Sequence, residues 1–326
     1  MYVVEDIRGH KAEKMVQTKQ TDQTKQTKQT KQTKQTKQTK QTITYAMALL
    51  TILLWSSAFP ASRYALKHYS PGSLMLLRFL VASATLIIIG TIRKIRLPKK
   101  EDIPIFMLGG FIGLFLYMFC FNTGTVYVVS GISSFIVASA PVFTLILSRI
   151  VLKEVVKPAC WVGVAVSFCG LILIMLSQTT EFSLNLGVFL LLGSAITTSG
   201  HNVIQRGLLK KYTALEATTY TILCATFFML IFLPGAIREL PGAVLGTNLV
   251  IVYLGVFPAA LAYLSWGFAL SRAEKTTHVT VFLYLVPFIA SLIAYVWLKE
   301  TFSLWSLLGG IVIISGMILT NAFGKE

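Results

Sequence analysis

Apolar residues occur along this chain in ten long runs that are separated by short polar connections. Each run is about 20 residues long, which is the length that an α-helix needs to cross a hydrocarbon layer. Because a backbone in lipid must satisfy its own hydrogen bonds, the pattern predicts an all-α integral membrane protein. The ten predicted transmembrane helices cover residues 44–65, 72–92, 103–122, 127–148, 158–176, 184–205, 213–234, 246–269, 276–297 and 303–322.

A duplication organises these helices. Residues 141–170 recur as residues 287–316 at a constant offset of 146. In each copy a proline lies within an apolar run, the run ends in Leu-Lys-Glu, and the next run carries two glycines seven residues apart. The opening runs repeat at an offset of 143, so that Tyr69 aligns with Tyr212. Helices 1–5 are therefore predicted to repeat as helices 6–10.

The number of helices in each copy predicts how the two copies are related. Five is odd, so the second copy enters the membrane from the opposite side and the repeats are inverted. Inverted repeats are a recurring design of secondary transporters, because exchanging the conformations of the two halves moves a cavity from one side to the other. We place the first repeat, helices 1–5, at residues 43–177 and the second, helices 6–10, at residues 178–326.

Residues 1–42 form a tail of different composition. From Lys19 to Thr42 the chain repeats Lys-Gln-Thr, broken once by Asp22. A period of three gives no amphipathic helix face, and nothing in the repeat can bury apolar surface, so disorder is predicted. Two interpretations remain, attraction of the lysines to anionic lipid headgroups and a solvated tail without a role, and the composition favours the second.

Composition and charge narrow the class further. The chain is 55% hydrophobic and 13% charged, and its net charge is +16. The basic residues lie in the tail and between apolar runs, without a groove of interleaved aromatics, which excludes nucleic-acid binding. Beyond the tail, 14 basic residues lie in the even-numbered connections and the C-terminus, against 4 in the odd-numbered connections. The positive-inside rule then places both termini in the cytoplasm of a plasma or inner membrane.

These features resemble those of a known family. Two five-helix repeats, each ending in the proline, Leu-Lys-Glu and glycine pattern, are similar to the EamA branch of the drug/metabolite transporter (DMT) superfamily. The segment Leu54-Trp55-Ser56-Ser57-Ala58-Phe59 and the triplet Leu77-Arg78-Phe79 also fit that family. The resemblance covers residues 44–323. It implies ten helices, cytosolic termini and export or exchange of small metabolites such as amino acids.

The acidic residues indicate what kind of substrate fits. All nine acidic residues beyond the tail fall at the ends of runs or in connections, and none lies in the middle of the membrane. A dicationic drug or an acidic proton relay would require a buried carboxylate. The sequence therefore favours neutral or zwitterionic substrates.

Polar and aromatic stripes suggest where a substrate binds. Thr198, His201, Asn202 and Gln205 share one face of helix 6, at the spacing i, i+3, i+4, i+7. Such a face is costly in lipid, so we expect it to line a cavity or, equally well, to hold neighbouring helices by hydrogen bonds. His201 is the group there that titrates near neutral pH, which leaves proton coupling open. The full candidate set for the substrate cavity is Trp55, Phe59, Tyr117, Thr198, His201, Asn202, Gln205, Tyr263, Trp266, Thr280 and Tyr284.

Two further features have an ordinary structural interpretation. Arg78 lies about one turn into helix 2, and the favoured interpretation is that its side chain extends to the headgroups; the alternative is a place at the cavity mouth. Ser130, Ser134 and Ala138 form a stripe of small residues on helix 4, interpreted as a close helix contact.

The prediction from sequence is a secondary transporter that exports or exchanges small neutral or zwitterionic, amino-acid-like metabolites by alternating access. A channel or facilitative pore, or a lipid-handling membrane protein, is the alternative. An intramembrane enzyme is remote, because Ser194 and His201 are about 10 Å apart along one helix axis, beyond hydrogen-bond reach. We predict no catalytic residue, no cofactor and no metal site. The partners are a small-molecule substrate and the bilayer, and a homodimer is left open.

Overall fold

The computed structural model describes residues 41–62, 64–128, 130–178, 186–298 and 304–323. Within these ranges the chain is helical, without a strand. The predicted tail lies outside the described residues except for residues 41 and 42, which begin the first helix. Thr44–Glu326 forms one compact unit.

The described helices confirm the predicted all-α architecture, and we number them α1 to α10 in chain order. Seven are long and apolar enough to span a membrane, and the other three, α5, α9 and α10, contain shorter apolar helices. Several consist of consecutive segments of different helical type. Their bounds are Gln41–Ser62 (α1), Pro71–Ile92 (α2), Lys100–Tyr127 (α3), Ser130–Val137 and Ala140–Val151 (α4), Pro158–Gln178 (α5), Leu186–Leu208 (α6), Ala214–Gly242 (α7), Leu245–Arg272 (α8), Thr277–Thr280 with Val281–Tyr284 and Leu285–Leu298 (α9), and Leu304–Phe323 (α10).

Two helices run further than the apolar pattern predicts. Helix α3 continues to Tyr127, beyond its predicted end at residue 122, and α7 continues to Gly242, beyond residue 234. In α3 the extension is polar, and Thr125 Oγ1 donates a hydrogen bond to the carbonyl of Asn122 at 2.9 Å. The hydroxyl of Thr125 thus finds its partner within the helix itself.

The starts of α2 and α7 show the duplication in local detail. Ser70 caps α2 by accepting a hydrogen bond from the backbone N–H of Ser73. Its counterpart at the offset of 143, Thr213, caps α7 within a complete capping box that includes Glu216. Each cap satisfies backbone N–H groups that a helix start leaves unpaired, so both helices begin at fixed positions.

A pseudo-two-fold axis relates the two repeats and passes through two hydrogen bonds. Repeat counterparts touch each other only where such an axis runs between them. Ser83 and Thr226, which are counterparts on α2 and α7, are hydrogen-bonded at 2.8 Å. Ser167 Oγ donates to the carbonyl of its counterpart Ile313, from α5 to α10, at 3.2 Å. The axis therefore runs from the α2–α7 contact to the α5–α10 contact.

The repeated glycines bring α5 and α10 into direct backbone contact. A Cβ atom added at Gly163 would lie 2.7 Å from the carbonyl oxygen of Gly316, and one at Gly170 would lie 2.6 Å from that of Gly309. These two contacts exchange with each other under the pseudo-two-fold rotation. The glycine spacing that marks the duplication in the sequence is thus the spacing that lets the last helices of the two repeats pack closely.

The helices that approach the centre of the molecule are irregular in matching places. Helix α3 passes through a π-helical segment at Phe111–Leu116, and α8 does so at Gly255–Leu261. Helix α4 breaks at residues 138–139, and α9 changes to 3₁₀ geometry at Val281–Tyr284. π-Helical segments such as those in α3 and α8 are rare and occur most often at functional sites.

The connections lie on two faces, which differ in charge. The basic face carries the connections α2–α3, α4–α5, α6–α7 and α8–α9. Among the described residues, the opposite face carries the connections α1–α2, α3–α4 and α7–α8. Large apolar side chains remain exposed around the bundle, including Ile88 at 59%, Phe189 at 62% and Ile231 at 68%. A belt of this kind fits a hydrocarbon solvent and not water.

Candidate functional site

A cavity lies near the middle of the bundle, on the side of the opposite face. Its empty space, including the part that is open to the outside, is about 670 Å³. Most of its lining comes from the parts of α1, α2, α3 and α4 nearest the opposite face, completed by residues of α6, α8 and α9. The lining residues are Trp55, Ala58, Phe59, Ser62, Arg78, Tyr117, Met118, Phe121, Ser134, Val137, Ala138, Thr198, Tyr263, Leu283 and Val286.

Trp55 joins the two repeats at the cavity. Its indole N–H donates a hydrogen bond to the carbonyl of Pro258 at 3.0 Å. Pro258 lies in the π-helical segment of α8, where the ladder of backbone hydrogen bonds is altered. The ring of Trp55 packs against Tyr263 and Trp266, each with a centroid distance of 5.2 Å. Trp55 is therefore held in one orientation by second-repeat groups.

A second aromatic cluster forms the first-repeat wall. Phe59 meets Phe121 edge to face at a centroid distance of 5.5 Å, and Tyr117 stacks on Phe121 at 5.9 Å. These geometries are the ones that aromatic pairs prefer. Together with Trp55 they give the cavity rigid apolar surfaces beside the hydroxyls of Ser62, Ser134 and Thr198.

Arg78 is a buried cation on the wall of this cavity. Its residue is 5% exposed, and Nε is buried without a hydrogen-bond partner. Among the described residues, none forms a hydrogen bond or ion pair with its guanidinium. The sequence interpretation of a side chain that extends to the headgroups is therefore wrong. The reason is that α2 packs on α3, α7 and α8 on the side of Arg78, which turns that side inward.

Beneath the cavity, toward the basic face, lies a tightly packed set of residues that we call the closing layer. Trp266 is fully buried and donates a hydrogen bond from its indole to Asn202 Oδ1 at 2.8 Å. Gln205 donates to Thr218 Oγ1 at 3.2 Å, and His201 contacts Tyr263 edge to face at 5.6 Å. The closing layer consists of His201, Asn202, Gln205, Trp266, Thr280 and Tyr284.

Several polar atoms of the closing layer are buried without a partner in the described part of the chain. They belong to His201 Nδ1, Gln205 Oε1, Thr280 Oγ1 and the hydroxyl of Tyr284. A buried polar atom without a hydrogen bond costs free energy. These atoms belong to buried residues that lie between the cavity and the basic face.

The eleven residues that the sequence singled out are brought into two adjoining groups. Those on the cavity wall are Trp55, Phe59, Tyr117, Thr198 and Tyr263. The other six make up the closing layer. The eleven residues are therefore neighbours in the structure, but the stripe on α6 leaves the cavity after Thr198.

Some lining residues were not among the candidates, and the duplication offered a signal for four of them. Ala58 and Ser62 are the repeat counterparts of the candidates His201 and Gln205. Ser134 and Ala138 were interpreted as a helix-packing stripe, yet both line the cavity. They are the repeat counterparts of Thr280 and Tyr284, which were candidates. Projecting the candidate positions of one repeat onto the other would have found them. The apolar residues Met118, Val137, Leu283 and Val286 carry no signal that separates them from ordinary core positions.

No metal centre is formed by the described residues, since no three His, Cys, Asp or Glu side chains come together among them. The four cysteines form no disulfide. In this part of the chain the site therefore offers aromatic surfaces, hydroxyls and one guanidinium.

Ten apolar helices in two inverted repeats around a central cavity are the architecture of a multi-pass membrane transporter. The chain belongs to the EamA-like transporter family, whose sequence profile matches residues 42–176 and again residues 185–322. This result confirms the family resemblance of the sequence.

Individual relatives support the same class. The uncharacterized transporter YdfC of Bacillus subtilis is 36% identical over 272 residues, covering 83% of this chain and 88% of that protein. A protein of Streptantibioticus cattleyicolor named "Probable terminal-alkyne amino-acid exporter" is 34% identical over 273 residues, covering 84% of this chain and 91% of the relative. A protein with a solved crystal structure shares the fold with a TM-score of 0.72 at 19% identity, over 86% of this chain and 97% of that one.

Proposed function

We propose that this protein is a secondary transporter of the plasma membrane that exports or exchanges small neutral or zwitterionic, amino-acid-like metabolites by alternating access. The observation that supports the mechanism is that repeat counterparts have different surroundings in the two halves of the protein. Ala58, Phe59 and Ser62 of α1 line the cavity. Their counterparts on α6 all lie in the closing layer, and these are His201, Asn202 and Gln205.

Helices α4 and α9 differ in the same way. Ser134 and Ala138 line the cavity, whereas their counterparts Thr280 and Tyr284 are buried beneath it. In an alternating-access carrier with inverted repeats, each half adopts the conformation of the other when the cavity changes sides. The second-repeat residues then line a cavity that is open to the basic face, and their unpartnered polar atoms gain water or substrate as partners.

The moving parts in this proposal are the two five-helix halves, residues 43–177 and 178–326. They pivot about the close α5–α10 contact and rock around the central cavity. The positive-inside rule places the basic face and both termini in the cytoplasm. In that orientation the cavity lies on the outer side of the closing layer, as expected for an outward-facing state.

The cavity wall supports the substrate class. Its described residues combine aromatic surfaces with the hydroxyls of two serines, one threonine and two tyrosines, and they include no carboxylate, a composition suited to small amphipathic molecules. The printed name of the Streptantibioticus cattleyicolor relative, an amino-acid exporter, supports the same class.

Flux into proteoliposomes tests the proposal. The purified protein is reconstituted, and uptake of radiolabelled amino acids is measured against external concentration, with protein-free vesicles as the control. A carrier gives saturable uptake that one unlabelled competitor suppresses. Uptake that rises linearly without saturation contradicts alternating access and indicates a facilitative pore.

Cysteine accessibility tests the conformational change. In a background without Cys120, Cys160, Cys169 and Cys224, single cysteines replace Trp55 or Tyr263, both on the cavity wall. Substrate should change the labelling rate by an impermeant thiol reagent in opposite directions on the two sides of the membrane. Labelling that substrate leaves unchanged on both sides argues against the rocking mechanism.

A further inference from the structure

We infer that Arg78 binds a carboxylate of the transported molecule, so that the substrates are small monocarboxylic acids with an apolar remainder, amino acids included. The inference deepens the proposed function and rests on it in one respect, namely that the bound molecule is also transported. It concerns one group in the cavity, the guanidinium of Arg78, and the chemistry that this group requires of a ligand.

The first argument is the charge balance of the cavity. Arg78 is a permanent cation that is 5% exposed, and no aspartate or glutamate of the described chain lines the cavity with it. A buried charge is stable only when an opposite charge or several hydrogen bonds compensate it. Because no described residue supplies that compensation, a bound anion is the natural partner.

The second argument is the set of groups around Arg78. The cavity wall also holds Tyr117 and Tyr263, and the guanidinium lies within electrostatic range of both phenols. These two tyrosines are repeat counterparts, so they approach the guanidinium from the two halves of the protein. A planar guanidinium with phenol O–H donors beside it matches the two oxygen atoms of a carboxylate.

The third argument is that backbone packing fixes the position of Arg78. A Cβ atom at Gly255 would lie 2.8 Å from the carbonyl oxygen of Arg78, so the π-helical segment of α8 packs directly on α2 at this residue. The neighbouring side chain of Phe79 is fully buried. The backbone of Arg78 is thus held in place. Its guanidinium lines the cavity without a hydrogen bond to any described residue, which leaves its donors for a ligand.

The other residues that line the cavity indicate the chemistry of the remainder of the ligand. Trp55, Phe59 and Phe121 offer aromatic faces, on which an apolar side chain packs and an ammonium group is accepted by cation–π attraction. No described lining residue is a carboxylate that could hold a second cation. A zwitterionic amino acid fits this surface, and a plain monocarboxylate fits it also. An amine without a carboxylate leaves Arg78 uncompensated and is repelled by it.

Equilibrium binding to the protein in nanodiscs tests the inference without requiring transport. Two probe series keep the apolar group constant: leucine, 4-methylpentanoate and leucinamide, and phenylalanine, 3-phenylpropionate and phenylalaninamide. We expect the carboxylates of at least one series to bind at least about tenfold more tightly than the amide. Equal affinity for acid and amide, or no binding by any probe, overturns the inference.

Variants assign the preference to Arg78. Arg78→Gln should weaken carboxylate binding about tenfold to a hundredfold and leave amide binding unreduced. Arg78→Lys should lie between Gln and wild type, because it keeps the charge but loses the two-pronged geometry. Arg238→Gln removes an exposed charge on the same face and should change nothing. Carboxylate binding that Arg78→Gln and Arg78→Lys leave at the wild-type level overturns the inference, and melting curves verify that each variant is folded.

Flux measurements on the same proteins separate this inference from the proposed function. In one outcome, Arg78→Gln loses carboxylate binding but the wild type shows no saturable flux. This result refutes the proposed transport function and supports the carboxylate site. In the other outcome, leucinamide shows saturable flux equal to that of leucine. This result supports the proposed transport function and refutes the carboxylate site.

Discussion

The hydroxyl of Tyr212 donates a hydrogen bond to Asp102 Oδ2 at 2.7 Å, which ties the second repeat to the first on the basic face. On the opposite face the repeat counterpart Tyr69 donates to Asn248 Oδ1, and Asn248 is the counterpart of Asp102. The fold therefore closes each face of the α2–α3–α7–α8 contact with the same tyrosine. On the basic face Asp102 also accepts a bond from Lys211 at 2.7 Å, and this bond raises the pKa of the Lys211 amine.

Removal of either tyrosine hydroxyl should destabilise the protein through one lost inter-repeat bond. Tyr69→Phe and Asn248→Ala should each lower the melting temperature in detergent, and the double variant should show a coupling of about 1 kcal/mol. Tyr127→Phe, at a residue that is 55% exposed, is the matched control. Fully additive effects of Tyr69→Phe and Asn248→Ala would mean that the bond contributes nothing.

Gly163 should tolerate no side chain. Its added Cβ would lie 2.2 Å from Thr320 Oγ1 and 2.7 Å from the backbone of Gly316, so α5 and α10 would have to separate. We expect Gly163→Ala to lower the free energy of unfolding by about 1–3 kcal/mol. Gly207→Ala, on a helix with no atom within 4 Å of the new Cβ, should be neutral or slightly stabilising. Equal melting temperatures for the two variants would contradict the close contact.

Glu154 should hold the basic face closed. Its carboxylate accepts hydrogen bonds from Thr276, at 2.7 Å from Oγ1 and 3.1 Å from the backbone N–H, and lies 3.9 Å from Arg206 Nε. Glu154→Gln removes the charge and should weaken the closed state by about 1 kcal/mol. A thiol at Gln205→Cys should then react about fivefold faster from the basic face. The exposed substitution Glu101→Gln is the control, and a Glu154→Gln rate equal to the control refutes this role.

Trp266 should stabilise the closing layer through its hydrogen bond to Asn202. Trp266→Phe keeps most of the ring but leaves Asn202 Oδ1 without its donor, at a cost of about 1–3 kcal/mol in the closed state. The population that is open to the basic face should rise about tenfold, measured by the labelling rate at Gln205→Cys. Trp161→Phe, at a residue that is 40% exposed, is the control. Slower labelling in Trp266→Phe would contradict the prediction.

Much of the architecture could be predicted from the sequence because its causes are local or periodic. A helix that crosses hydrocarbon requires a run of about 20 apolar residues, so each run can be recognised on its own. The duplication can be recognised as a constant offset, and an odd number of helices in each repeat makes the repeats inverted. The Leu-Lys-Glu step is one such signal with a local cause. Lys153 has a φ of 53°, a left-handed conformation that ends α4 and turns Glu154 toward Thr276.

The division of the candidate residues between cavity and closing layer depended on the tertiary structure. Trp55 and Thr198 are repeat counterparts, and both line the cavity. Phe59 and Asn202 are also counterparts, but Phe59 lines the cavity whereas Asn202 lies in the closing layer. An inverted repeat has two equivalent arrangements, and the repeat pattern alone does not say which half is open.

The position of Arg78 depended on the tertiary structure for a related reason. The sequence determines the two repeats, the ten helices and the absence of a carboxylate in mid-membrane. It places one arginine a turn inside α2 but not the direction in which that arginine points. Direction is set by which side of α2 is packed, and that side is packed because Gly255 lets the π-helical segment of α8 meet the backbone of Arg78. Close packing between segments 177 residues apart turned a residue expected at the headgroups into the cation of the cavity.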